Sequence, residues 1–560
     1  MTKNNINQGL ATGSIKSSQS HPLPTSKMLS KKPRVYLYDS TLRDGAQTST
    51  INFGTHDKIA IAKALDSLGI DYIEGGWPGS NPTDDEFFSN LPTLKKSQFT
   101  AFGMTCRSGI SAANDAGLSA VINADAKSVC IVGKTWDFHL KHALHISEEE
   151  NFKIISDSIK QIIKKKKNAM FDAEHFFDGF KANPKFSLQC IKTAYEAGAR
   201  WIVLCDTNGG TLPSEISKIV KKITKHIPGE NLGIHCHNDT GNAVANSLAA
   251  IEAGVRQVQG TINGLGERCG NANLISIIPT LMLKMGYDVG ISEESLKRLA
   301  NISNFLDDLL GKERDKFAPY VGKYAFAHKG GLHVSAVTKN AKSYEHIEPE
   351  KVGNHREIMI SDQAGRSNII ARLKEIGIEL RDEVKVSQVS NLVNKIKELE
   401  AKGYAYDAAD ASFEILARRS LASVPNFFEL VSFRVIDEKK LNDKGRTTLL
   451  SEATIKIKIG NKVTMSVAEG NGPVNAMDKA LRKALSKKYP TLKSVRLTDY
   501  KVRILTPSDG TQAITRVQIE SGDEKGNKWN TIGVSENIVD ASFYALHDSI
   551  TYKLMKIQER

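Results

Sequence analysis

Three short stretches carry the side chains best suited to hold and activate a small molecule. The first is His235-Cys-His237, an HxH where a strand is expected. Residues two apart on a strand share a face, so both imidazoles point the same way. A lone HxH is weak evidence, because surface histidines pair by chance. The second stretch is DSTLRDGAQ (39–47), with Arg43 and Asp44 side by side after Asp39. A turn uses Gly and Asp but has no need of an arginine between two acids. The third is NGLGERCGNAN (263–273). Its glycines are spaced GxGxxxG, which fails the dinucleotide fingerprint GxGxxG. They permit a tight path, and Glu267, Arg268, Asn271 and Asn273 make the loop a polar lid. Asn271 offers an amide oxygen to a metal, and Asp44 and Asp206 offer carboxylates from strand ends. Two histidines with carboxylate and amide oxygen suit a divalent ion such as Mn, Zn, Co or Mg. Such an ion polarises a carbonyl as a Lewis acid.

These residues need a scaffold that brings distant segments together. Apolar, β-branched runs recur at 34–38, 70–74, 99–103, 128–132, 168–173, 200–205, 231–236 and 256–260. Helical patterns such as THDKIAIAKALDSLG and NAVANSLAAIEAGV lie between them, with glycines as helix stops. Eight βα units in about 250 residues match the count and size of a (β/α)8 TIM barrel, an α/β fold. A doubly wound open sheet is the competitor, but it places chemistry at one switch point. Here polar residues follow nearly every strand: Asp39, Arg43 and Asp44; Glu74; Asp172 and Glu174; Asp206, Thr207 and Asn208; His235, His237, Asn238 and Asp239; Thr261 and Asn263. In a closed parallel barrel these ends meet on one face, where barrel enzymes do chemistry.

Composition narrows the class. The six cysteines contain no CxxC pair and all lie in the first half, a reduced, intracellular and hence cytoplasmic pattern. No apolar run approaches the roughly 18 residues of a membrane span. The net charge of +13 is scattered along the chain. Its densest run, KKKK (164–167), closes an amphipathic segment, as expected of lysines in a last helical turn. Nucleic-acid binding is therefore disfavoured, and acidic small molecules fit equally well. Residues 1–32 carry no acid and are rich in Ser, Asn, Lys and Pro; a disordered extension is expected in preference to a transit peptide.

Beyond the barrel (33–300), residues 301–427 read as helical linker subdomains. From 428 to 560 the texture is α+β and duplicated. VNAMDKAL (474–481) matches VDASFYAL (539–546) as V-[ND]-A-x-x-x-A-L, which predicts two related strand–strand–strand–helix units. The turn GNGP (470–473) is able to bind a carboxylate.

DSTLRDG, HCHND and NGLGERCGNAN together resemble the acyl-CoA Claisen condensing enzymes, the family of isopropylmalate, homocitrate and citramalate synthases, over about residues 33 to 558. EGGWPGSNPTDDEFF (74–88), FDAEHFFDGFKANP (171–184), CDTNGGTLP (205–213) and YAFAHKGGLHVSAV (324–337) are most similar to the citramalate-forming branch. The resemblance implies Asp44, His235, His237 and Asn271 as ligands of a divalent metal (Mg, Mn or Zn). It implies Arg43 as the group facing the keto oxygen, and Glu174 and Thr207 as contacts to the 2-oxo acid. Asp206 is left between orienting a ligand and capping a helix. His333, with His328 as its rival, and Tyr344 are implied in the acid–base step, from a segment that family dimers supply to the partner's barrel. Acetyl-CoA and pyruvate are the implied substrates, joined by an acyltransferase that converts the acyl group to alkyl on transfer; the base is Glu174 or His333. Isoleucine is the implied feedback inhibitor at the C-terminal domain, against a purely dimerising role. The alternatives are a 2-isopropylmalate synthase, a retro-Claisen lyase on the same barrel and a non-enzymatic amino-acid sensor.

Overall fold

The computed structural model describes residues 32–359, 365–378, 386–421, 424–441 and 447–558. The expected N-terminal extension lies outside them up to residue 31. The chain forms two compact units that divide between Glu313 and Arg314. Among the described residues no helix is long and apolar enough to cross a membrane.

The first unit is a closed parallel barrel. Its strands are β1 (Tyr36–Asp39), β2 (Tyr72–Gly76), β3 (Gln98–Met104), β4 (Ser128–Lys134), β5 (Asn168–Glu174), β6 (Trp201–Asp206), β7 (Leu232–Cys236) and β8 (Gln257–Gly260). β1 and β8 close the ring, with Tyr36 opposite Gln257 and Asp39 opposite Gly260. These are the eight expected strands. The first differs at its start: Lys32–Arg34 pairs with Tyr287–Asp288 in a separate two-stranded sheet. Arg34 is drawn there by Asp71, its Nη2 lying 2.6 Å from Oδ1. Inside the barrel Tyr38, Phe102, Cys130, Met170, Trp201, Val203 and Cys205 pack as one cluster, so the interior is a filled core.

The helices outside the barrel form for local reasons. Helix Glu148–Lys164 starts where Ser147 Oγ accepts the Glu150 N–H (3.2 Å) and carries three acids in its first turn. It buries Ile154, Ile155, Ile159 and Ile162, and the KKKK run ends it. Helix Leu299–Leu309 also belongs to this unit. Asn263 Nδ2 donates to Ser303 O (3.0 Å) and to Asp307 Oδ1 (2.9 Å), tying that helix to the loop after β8.

In the second unit, helices Gly331–Lys339, Arg366–Glu375, Val386–Ala401 and Asp410–Leu421 precede two antiparallel three-stranded sheets. One sheet is β9 (Glu429–Leu441), β10 (Thr447–Ile459) and β11 (Lys462–Gly470); the other is β12 (Arg496–Ile504), β13 (Thr515–Gly522) and β14 (Lys528–Ser535). Helix Pro473–Leu485 follows the first and helix Ile538–Gln558 the second. The matched octets open these helices, and their shared small positions face the sheets: Ala476 and Ala541, Ala480 and Ala545, and Leu481 and Leu546 are all buried. Each approach is close enough to require glycine. A methyl added to Gly470 would strike the Ala476 N–H, and one added to Gly533 would strike the Ala541 carbonyl. Gly533→Ala is therefore expected to destabilise this unit by about 1–3 kcal/mol, read as a lower urea midpoint. Gly472→Ala, whose methyl meets nothing within 4 Å, is the control that leaves the midpoint unchanged.

Candidate metal centre

His235 sits in β7 and faces the barrel axis, while His237 lies just past the strand end in an isolated antiparallel bridge with Asn271. The two-residue period persists across that end. The imidazoles converge, with Nε2 atoms 3.3 Å apart. Asp44 opens the short 3-10 turn Gly45–Gln47 after β1. Its Oδ2 lies 3.4 Å from His235 Nε2 and 4.0 Å from His237 Nε2. One ligand atom from each of the three residues falls within 4.8 Å of the others, and all three residues are buried.

The electrostatics are those of a site built around positive charge. Burial would push the Asp44 carboxyl up, but Arg43 and the two imidazoles hold it well below the usual carboxylate range. Burial opposes the charged form of His235, yet the Asp44 hydrogen bond and charge raise its pKa. Burial and the facing His235 push His237 down to about 4. Two imidazoles this close do not both take a proton, and His237 is the one left neutral.

Asn271 is bridged to His237 through the backbone. Its Nδ2 donates to Leu265 O (3.0 Å), which fixes the amide and leaves Oδ1 as the free end. Asn271 Oδ1 and Asp44 Oδ1 are buried without a hydrogen-bond partner. Buried polar atoms are rarely left so, and two orphaned oxygens beside two convergent imidazoles fit a divalent cation. The loop reaches this position through left-handed backbone at Asn263, Gly264, Arg268 and Gly270. It is fastened from both sides. Thr48 Oγ1 accepts the Gly266 N–H (2.7 Å), and Arg268 grips Asp239 (Nε to Oδ1, 2.7 Å) and Thr207 O (2.8 Å).

Arg43 is aimed by three contacts. Nε donates to Glu74 Oε2 (2.7 Å), Nη1 lies 3.3 Å from Asp44 Oδ2, and the guanidinium covers the Phe102 ring at 3.9 Å. Glu74 Oε1 accepts the Tyr38 hydroxyl (2.7 Å). Asp39 stays out of this cluster. Its carboxylate accepts the Thr41 N–H and hydroxyl (both 2.9 Å), and Thr41 Oγ1 accepts the Ile262 N–H. Burial raises Asp39 to about 7. It braces the β1 loop against the β8 loop.

The remaining sequence-derived residues have these places. Asp206 accepts from Thr211 Oγ1 (2.7 Å) and Asn246 Nδ2 (3.2 Å), so its side chain staples the loop before helix Pro213–Ile223. Leu212, not Asp206, is the cap residue of that helix. Thr207 Oγ1 accepts the His175 N–H (2.9 Å). Glu174 ends β5 in an ion pair with Lys134. In the second unit His333 and Tyr344 stack, ring centroids 4.2 Å apart, and both are exposed. His328 is buried instead, 3.1 Å from Glu345 Oε1, and Arg356 holds the same carboxylate. From sequence, Glu74 and Asp172 are noted at strand ends without a role, and Gln259 escapes notice. Gln259 Oε1 lies 2.9 Å from His235 Nδ1, and its Nε2 donates to Asp172 Oδ1 (3.2 Å). The available signal was a glutamine on the inward face of a barrel strand.

Known proteins match the whole architecture. The HMGL-like family matches residues 34–305, the homocitrate synthase post-HMGL domain-like family 320–404, and the LeuA allosteric (dimerisation) domain 407–554. An (R)-citramalate synthase of Aquifex aeolicus is 50% identical over 528 residues, covering 94% of this chain and 99% of its own. That of Geobacter sulfurreducens is 51% identical over 527 residues, covering 94% and 98%. A 2-isopropylmalate synthase of Methanocaldococcus jannaschii is 32% identical over 524 residues, covering 93% and 95%. Sharing half its residues with such proteins along nearly their full length, the chain belongs to the (R)-citramalate synthase family.

Proposed function

We propose that the chain condenses acetyl-CoA with pyruvate and hydrolyses the thioester, giving (R)-citramalate and CoA. The observation that carries this reading is the buried Asp44–His235–His237 cluster with a fixed guanidinium beside it, in a chain 44–51% identical to (R)-citramalate synthases and 30–32% identical to isopropylmalate synthases. Asp44, His235, His237 and Asn271 would hold a divalent ion, Mg, Mn or Zn. When bound, it supplies Lewis-acid polarisation of the keto acid.

The chain's own residues do the rest. Arg43 faces the keto oxygen and stabilises the charge that grows there, a task suited to a guanidinium already fixed in place. Thr207 contacts the 2-oxo acid from the β6 end. A base removes a proton from the acetyl methyl, the resulting enolate carbon attacks C2 of pyruvate, and water releases CoA. Glu174 is one candidate for that base, positioned by its ion pair with Lys134. His333 is the other, with Tyr344 stacked on it. These two act from the second unit, supplied by the partner of a homodimer. The C-terminal domain binds isoleucine as feedback inhibitor, and the enzyme serves the pyruvate route to 2-oxobutanoate and isoleucine in the cytoplasm.

CoA release measured with a panel of 2-oxo acids, with and without isoleucine, tests this. Pyruvate is expected to outrun 2-oxoisovalerate by at least about tenfold, the scale of discrimination one small apolar group allows, and isoleucine to inhibit. Preference for 2-oxoisovalerate would make the chain an isopropylmalate synthase.

A further inference from the structure

We propose that Asp172 and Gln259 form a buried relay that fixes the tautomer and aim of His235, and thereby sets the affinity of the metal centre. The proposal rests on the metal reading above. Asp172 leaves β5, Gln259 lies in β8 and His235 in β7, and all three side chains are buried. No bulk water competes for their hydrogen bonds.

The logic follows from donor and acceptor inventory. A glutamine amide has one donating and one accepting end, and either orientation fits the same shape. Asp172 decides between them. Its carboxylate lies 3.2 Å from one end of the amide, so that end is the NH2. The other end is then an oxygen, 2.9 Å from His235 Nδ1. An oxygen only accepts, so Nδ1 carries the hydrogen. That leaves Nε2, which faces Asp44 Oδ2 and His237 Nε2, as the ring atom available to ligate an ion. Partners of this kind on a ligating histidine commonly change metal affinity ten- to a hundredfold. His237 has no counterpart, because its Nδ1 is buried without a partner. The centre is therefore asymmetric, with one imidazole pre-set by the barrel and one left to the ion.

The test is Mn²⁺ binding to chelator-stripped full-length protein, followed by the free-ion EPR signal, with thermal unfolding of the metal-free protein in parallel. Gln259→Met keeps length and removes both hydrogen bonds. It is expected to weaken Mn²⁺ binding ten- to a hundredfold and, by leaving the buried Asp172 carboxylate and His235 Nδ1–H without these partners, to lower the metal-free midpoint. The transposed pair Gln259→Glu with Asp172→Asn restores the chain of bonds. The new carboxylate accepts from His235 Nδ1–H, and the new amide donates to it. That pair is expected to bind within threefold of wild type, whereas Gln259→Glu alone, with two carboxylates in contact, is not. Wild-type affinity in Gln259→Met overturns the relay. So does a transposed pair no better than Gln259→Glu, the comparison that decides if Gln259→Met does not fold. A wild-type chain that binds no Mn²⁺ overturns the metal reading itself, and the relay with it.

Discussion

Asp44→Asn is expected to abolish CoA release from acetyl-CoA and pyruvate, a loss on the order of 10³-fold or more, matching several kcal/mol of Lewis-acid stabilisation. Asp44 is the only anion among the proposed ligands, and it is buried against Arg43. Without its charge, the guanidinium faces the cation site uncompensated, and in a dry interior that repulsion is large. The amide keeps the shape of the side chain, so the effect separates charge from packing. Thiol titration of released CoA gives activity, and Mn²⁺ binding on the same sample gives the cause. Full turnover with intact folding would sink the ligand assignment. His237→Ala is expected to follow the same course, because the His237–Asn271 bridge is made by backbone and survives the change.

Arg43→Lys carries the second large effect. It keeps one positive charge but loses the planar fork that meets Glu74 and Asp44 while lying on Phe102. An ammonium cannot satisfy these directions together and is more strongly hydrated. The turnover number with pyruvate is expected to fall about 10²–10³-fold, the scale of losing one oriented donor to a growing oxyanion. Mn²⁺ affinity should stay within threefold of wild type, since all four proposed ligands and a positive charge beside Asp44 are kept. Arg43→Ala is the poorer probe, because it strands the buried Glu74 carboxylate and costs about 3–5 kcal/mol of stability. A lysine variant with unchanged turnover would remove Arg43 from the keto oxygen.

The barrel was legible because period and punctuation agree along the first half. Apolar runs of five or six residues with glycine-stopped helices between them leave few topologies. The convergence of Asp44, His235 and His237 was legible for the same reason, since their places at strand ends follow once the barrel is accepted. What was not legible is how the side chains between those ends connect. Gln259 reads as a polar residue in a strand. Its meaning depends on β7 pairing directly with β8 while Asp172 of β5 reaches it through the barrel interior, a fact of closure that no local pattern carries. Asp206 shows the reverse. Its position beside the histidines suggested orienting a ligand or capping a helix, but its oxygens accept from Thr211 and Asn246 and the cap is Leu212. The exchange of Arg34 into a second sheet likewise depends on Asp71, 37 residues away.

The pairing of β1 with β8 is the seam where the ends of the barrel chain meet. Asp44 lies just beyond one side of that seam and Asn271 just beyond the other, with His235 and His237 on the next strand over. A cation held by Asp44 and Asn271 would act as a clasp across the junction, joining segments more than two hundred residues apart. Occupancy and ring closure then share one free energy: whatever loosens the seam weakens the grip on the ion, and whatever removes the ion unlatches the ring at the place where it has least covalent support.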